Sequence, residues 1–236
     1  MMNESIDVFT VPELYLLAAA FDGNVLFGLP EKQIYQIQGE EVFADAHQRL
    51  IEKGILSSDG KITKGGAIII RAIELYHQSG KYVRINNLMF AFQGLEEDEV
   101  IILVELEEQR EYQLRVISKA IVLQMLTANF PLIRREPVDR EKTFLKEELS
   151  YQERMETENF EPESMFMNLE IFRSNGDPKG LNFLHNYQQW LIFVKGEKLI
   201  MVDTVYKKYY QASQYWFLKV LFDALDFPYK EGKSNA

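Results

Sequence analysis

Apolar positions first fall into a regular pattern just after Thr10. Leu14, Leu17 and Phe21 recur at helical spacing, and Thr10 with Glu13 makes a capping-box pair around Val11-Pro12. A helix is therefore predicted from here to Asp22-Gly23, whose residue types stop helices. Over 34–37, Ile34, Gln36 and Gln38 alternate with Tyr35 and Ile37, which reads as a short strand. Residues 41–53 carry Val42, Ala46 and Leu50 four apart, with Gly54 beyond the last turn, and predict a second amphipathic helix. Ser58-Asp59-Gly60 is a turn, and 65–79 reads as a helix that is apolar nearly all round.

Beyond Gly80 the period changes to two. Val83, Ile85, Leu88, Phe90 and Phe92 read as strand up to a polar turn at Gly94–Asp98, and 100–104 is a continuous apolar strand. Tyr112, Leu114 and Val116 alternate again after a turn at 107–110. A helix over 118–128 then ends before Asn129-Phe130-Pro131. The C-terminal part follows the same order: strands over 189–194, 199–202 and 206–210, a helix over 213–225, then Asp226-Phe227-Pro228. Aligning Phe90 with Ile192, Ile101 with Leu199 and Asn129 with Asp226 gives offsets of 102, 98 and 97, so only loop lengths differ. An internal duplication is expected.

Two such β-β-β-α units predict an α+β fold with a central antiparallel sheet of about six strands, flanked by helical subdomains. The expected organisation is a single domain over 1–236 with quasi-repeated halves, 1–131 and 132–236. The second half holds a segment, 137–163, with nine acidic residues against four basic ones. It reads as a long solvated helix and connector, with 155–166 docking back.

Composition narrows the function. The 236 residues carry 26 basic and 36 acidic side chains, a net charge of −10, which repels phosphate backbones and disfavours nucleic acid. With no cysteine, disulfide scaffolds, thiol catalysis and iron–sulfur clusters are excluded. No run approaches the roughly 18 apolar residues of a spanning helix, and no basic n-region opens the chain, so a cytoplasmic protein is expected.

Catalytic signatures are few. His47, His77 and His185 are scattered, and neither GxSxG nor GxGxxG occurs. The carboxylates at 96–99 and 105–108 sit at hairpin turns, which lack the cleft that acid–base chemistry requires. No cofactor or metal is expected, and no enzymatic activity. Residues 46–63 resemble the helix and wing of a winged-helix domain, where Lys53, Lys61 and Lys64 would face DNA, although Glu40, Glu41, Asp45 and Glu52 oppose phosphate contact. Protein binding is suggested by two tracts. One is the aromatic run Tyr206, Tyr209, Tyr210, Tyr215, Trp216 and Phe217; the other is the acidic loop Leu95, Glu96, Glu97 and Asp98.

Thr10-Val11-Pro12-Glu13-Leu14-Tyr15-Leu16-Leu17, then Gly28-Leu29-Pro30, then Leu50-Ile51-Glu52-Lys53-Gly54-Ile55-Leu56 resemble the EspG family, the cytoplasmic chaperones of mycobacterial type VII secretion. The chain is also similar to an uncharacterised family encoded in low-GC Gram-positive bacteria such as Listeria. The resemblance implies quasi-twofold halves around a central sheet. It also implies a non-catalytic chaperone or adaptor, monomeric or weakly dimeric, that holds a helical secreted protein or protein pair. In that family a loop of the central sheet contacts the client, a part that Gly94–Asp98 would play here, with Leu95, Glu96, Glu97 and Asp98 as the candidate contacts. Tyr209 and Tyr210 are the further candidate contacts. A winged-helix regulator or an uncharacterised enzyme are the alternatives.

Overall fold

Thr10 ends one element and starts the next. It is the last residue of β1 (Val8–Thr10) and the N-cap of α1 (Val11–Ala18), where the capping box closes through Glu13. The computed structural model describes residues 6–94, 96, 98–159, 165–173 and 187–227. After α1 come α2 (Lys32–Ile37), α3 (Glu40–Glu52) and α4 (Lys64–His77), the last capped by the Thr63 hydroxyl, which accepts from the Gly66 N–H at 3.0 Å. Four strands and a helix follow: β2 (Lys81–Ile85), β3 (Leu88–Ala91), β4 (Glu99–Glu107), β5 (Glu111–Ser118) and α5 (Lys119–Asn129). Next are β6 (Lys146–Glu148), α6 (Tyr151–Glu158) and β7 (Phe166–Arg173). The chain then forms β8 (Tyr187–Lys195), β9 (Lys198–Asp203), β10 (Lys208–Ala212) and α7 (Gln214–Leu225).

The fold is α+β, and its sheet has ten strands in the order β1-β5-β4-β3-β2-β7-β8-β9-β10-β6, where about six were expected. The run read as one strand over 83–92 is two, because Asn86 (φ 52°) and Asn87 form a turn between them. β1, β6 and β7 are the other additions. Residues 34–37 form the end of α2, a helix; the isoleucines three apart suit the helical period better than a period of two, and Ile34 and Ile37 stay exposed. The acidic segment is also different from the expected long helix. It holds a 3-10 turn (Asp139–Lys142), the edge strand β6 and the eight-residue α6. Residues 160–163 of it, and Pro228 of the second Phe-Pro pair, lie outside the described residues.

The chain divides into two compact units. In the first, built from residues 6–82 and 87–118, β1, β5, β4 and β3 pair antiparallel and turn Met89, Ala91, Ile101, Leu103 and Tyr112 onto one face. There they meet α1, α3 and α4 through Leu14, Leu50 and Tyr76. Gly66 is required at the start of α4, since a Cβ there would stand 2.2 Å from the Ile55 carbonyl oxygen. Buried tyrosines keep their hydroxyls bonded: Tyr15 donates to the Pro30 carbonyl at 2.8 Å and Tyr76 to that of Phe27 at 2.9 Å. Burial pushes the Tyr15 phenol up to about 12.

The second unit contains residues 83–86, 119–159, 165–173 and 187–227, with β7, β8, β9, β10 and β6 in antiparallel ladders. One face carries Trp190 and Tyr210, which meet Trp216 of α7 at ring separations of 5.4 and 5.7 Å. The opposite face carries Phe193, Ile200 and Val202, with Leu149, Leu191 and Tyr209 packed around them. α6 reaches that cluster through Arg154, which stacks on the Tyr209 ring.

Candidate functional site

α6 and the β8–β9 hairpin wall a groove of about 670 Å³ in the second unit, within the usual range for ligand sites, roughly 300–1,000 Å³. The hairpin needs just Gly196 and Glu197 to turn, and Gly196 (φ 61°) supplies the positive φ that such tight turns demand. Leu149 and Ile200 line the groove together with Gln211. The period of two explains this set: Gln211 stands opposite Ile200 in the ladder and shares a face with Tyr209.

Ion pairs set the α6 wall. Ser150 and Glu153 form a capping box, and the same Glu153 carboxylate reaches Lys198 Nζ at 2.9 Å. Lys198, with help from Ser150, holds the Glu153 carboxyl down at about 2. One turn on, Glu156 stands 3.8 Å from Lys195, while the Arg154 guanidinium lies 4.9 Å from the Tyr209 ring centre. The other wall hangs on a buried pair, Arg135 with Glu141. Arg135 also donates to the Glu197 carbonyl at 2.9 Å, and Glu141 accepts the Gln214 N–H at 2.9 Å. Hairpin tip, 3-10 turn and the start of α7 are thereby joined.

Gln211 is the unusual member. It is only 4% exposed, and its side-chain amide makes no hydrogen bond among the described residues. The amide faces the groove, whose solvent reaches it, and it is not among the fully buried polar atoms without a partner. The strand expected over 206–210 stops short of Gln211, and no sequence signal singles that residue out.

The expected contact residues fall in two places. Leu95 and Glu97 lie outside the described residues. Glu96 and Asp98 are exposed in one tight turn of the first unit. The Glu96 N–H donates to the Glu99 carboxylate at 3.0 Å, and Gly94 leaves no room for a Cβ against Glu99. Tyr209 and Tyr210 belong to the second unit but diverge as strand neighbours must. Tyr209 joins the cluster under α6, and Tyr210 sits between Lys146 (4.8 Å) and Trp216. Tyr206 and Tyr215 are exposed, whereas Phe217 is core.

The lysine cluster of the winged-helix alternative does not form a phosphate-facing set. A small wing exists, since Leu56 and Ile62 form a β-bridge. Lys53, however, is buried against Glu13 at 2.6 Å, with side-chain exposures of 7% and 0%, and also donates to the Val8 carbonyl at 2.8 Å. Lys61 is held by Asp59 at 2.6 Å. His77 Nδ1 lies 2.9 Å from the Val25 carbonyl, a structural contact; His185 lies outside the described residues. Among the described residues no cluster of three or more acidic or histidine side chains could hold a metal ion. No helix among them is long and apolar enough to cross a membrane.

The second unit thus presents a groove bounded by ion pairs, and the first an exposed turn with Glu96 and Asp98. The chain belongs to the family described as a domain of unknown function, DUF5081, whose model matches residues 3–233. It is also similar to the type VII secretion system protein EsaE of Staphylococcus aureus strain USA300, 25% identical over 190 residues, which cover 80% of this chain and 81% of EsaE. EsaE of strain NCTC 8325 / PS 47 matches to the same extent.

Proposed function

We propose that this protein is a non-catalytic adaptor or chaperone of a type VII secretion system, which holds a helical secreted protein or protein pair in the cytoplasm. The observation that carries the reading is the similarity to EsaE across four-fifths of both chains. The EspG-like motifs in the first helix and before Gly54 point the same way. So does the order meander-then-helix, seen in β3-β4-β5-α5 and again in β8-β9-β10-α7, which we read as a duplication. The client contact is assigned to the acidic turn, with Leu95, Glu96, Glu97 and Asp98, and to Tyr209 and Tyr210 with the aromatic surface beside them. The protein acts as a monomer or weak dimer, without a cofactor. Burial of Lys53 leaves the DNA-binding alternative without its central cation.

The test is co-expression with each small helical secreted protein encoded beside the gene, followed by co-purification. A stable complex with one of them is expected, and Leu95→Asp should weaken it without lowering the thermal midpoint. If no such protein is retained, the adaptor reading fails; if Leu95→Asp leaves the affinity unchanged, the acidic turn is not the contact.

A further inference from the structure

The groove between α6 and the β8–β9 hairpin carries a more specific inference. Its lining has four carboxylates (Asp139, Glu153, Glu156 and Glu197) against three cations. Each of those cations already stands within 4.0 Å of a carboxylate: Lys198 with Glu153, Lys195 with Glu156, Arg140 with Glu147. The Glu197 carboxylate at the hairpin tip has no ion pair or hydrogen bond among the described residues. The charge left over for a ligand is negative. Below it, apolar Leu149 and Ile200 would lie along an aliphatic stem. Beside them Gln211, only 4% exposed and with no side-chain hydrogen bond among the described residues, turns its amide to the groove and offers one acceptor and two donors, enough to meet a peptide group or a guanidinium.

We infer that this groove binds a short basic peptide segment of a partner protein. One Lys or Arg stem lies along Leu149 and Ile200, its cationic head is held by Glu197 and Glu156, and the Gln211 amide bonds the peptide group or guanidinium beside it. An acidic segment is disfavoured twice, by the paired state of the groove cations and by the net charge of −10 on the whole chain. For its place in secretion the inference rests on the adaptor reading, with the client supplying the basic segment. The groove chemistry itself does not depend on that reading.

The experiment titrates the full chain with the capped peptide acetyl-Ala-Arg-Leu-Lys-Ala-amide, followed by calorimetry, alongside acetyl-Ala-Glu-Leu-Glu-Ala-amide. The basic peptide is expected to bind and the acidic one not, with affinity falling as salt rises. Gln211→Met keeps the side-chain length and should weaken binding about tenfold, as loss of a charge-assisted hydrogen bond does. It should also leave the free protein's thermal midpoint unchanged or raised. Glu197→Lys, at an exposed tip, should weaken binding by a similar factor, about tenfold. Equal binding of both peptides, no binding of the basic one, a wild-type affinity in either variant, or a lowered midpoint for Gln211→Met would each overturn the inference. A client complex without peptide binding would remove the groove alone. Peptide binding without a client complex would keep the groove and remove the adaptor reading.

Discussion

α1 and α6 are built alike and held differently. Each has eight residues and begins with a reciprocal capping box, Thr10 with Glu13 and Ser150 with Glu153. In each, the capping glutamate also bonds a lysine from a distant element, Lys53 at 2.6 Å and Lys198 at 2.9 Å. The environments separate them. Seven residues of α1 are buried but only Thr157 of α6, and the two lysine–glutamate pairs are 7% and 0% exposed in the first case, 39% and 41% in the second. The same local chemistry thus fastens one helix into a core and merely rests the other on a sheet. A helix with almost no apolar face gains little from packing, so its hold depends on charges that solvent and salt can weaken. That leaves α6, a wall of the second unit's groove, the more easily displaced of the two helices.

The largest expected effect compares the two lysines. Lys53→Met leaves the Glu13 carboxylate buried without its cation, which costs about 3–5 kcal/mol. Lys198→Met removes an exposed partner and should cost about 1 kcal/mol or less. Urea unfolding of both variants, read by circular dichroism, measures the two values. Similar losses would break the distinction between a buried fastener and a surface tether.

A second comparison uses glycines. Gly66→Ala drives a Cβ to within 2.2 Å of the Ile55 carbonyl, against backbone that cannot swing aside. Overpacking of this kind costs about 1–3 kcal/mol. Gly196→Ala meets nothing within 4 Å, and its φ of 61° is the only penalty, about 1 kcal/mol for a left-handed alanine. Thermal midpoints of the two variants rank them, and a larger loss at Gly196 would show the groove hairpin to be more tightly built than the α1–α4 core.

Much of this contrast was legible in the residues and part of it was not. Thr10-Val11-Pro12-Glu13 announces α1, and the alternation over 112–116 and the apolar run over 189–194 announce their strands, because these signals are local. β7 was also open to reading: Met167, Leu169 and Ile171 alternate inward with period two. β6 was not. Lys146-Glu147-Glu148 is fully charged, and its strand form comes from pairing with Tyr210, Gln211 and Ala212 of β10. Likewise, no pattern distinguishes the Glu13 that is buried from the Glu153 that is not, since both follow the same capping rule. The acidic turn could be read as a turn, whereas the groove depends on which way Gln211 faces and on what covers it. Both are tertiary facts.

The smallest effect is a pH dependence confined to α6. The Glu153 carboxyl titrates at about 2, against an ordinary 4.5, because Lys198 and the Ser150 cap favour its charged form. Folding therefore favours the deprotonated group. The stabilisation is complete above about pH 4.5, shrinks as the pH falls toward 2, and is gone once the folded-state carboxyl is protonated. Solvent screens a pair this exposed, so the whole effect is about 1 kcal/mol or less. Glu153→Gln should be less stable than wild type at pH 6 and indistinguishable from it near pH 2, with the gap closing between those values and narrowing in high salt at pH 6. Amide exchange localises the effect: α6 should exchange faster in the variant at pH 6, while α1, whose own capping glutamate is buried, should not change. A constant gap down to pH 2 would mean that Glu153 holds α6 by its cap geometry and not by its charge, and would draw α6 closer to α1 than the ion-pair exposures indicate.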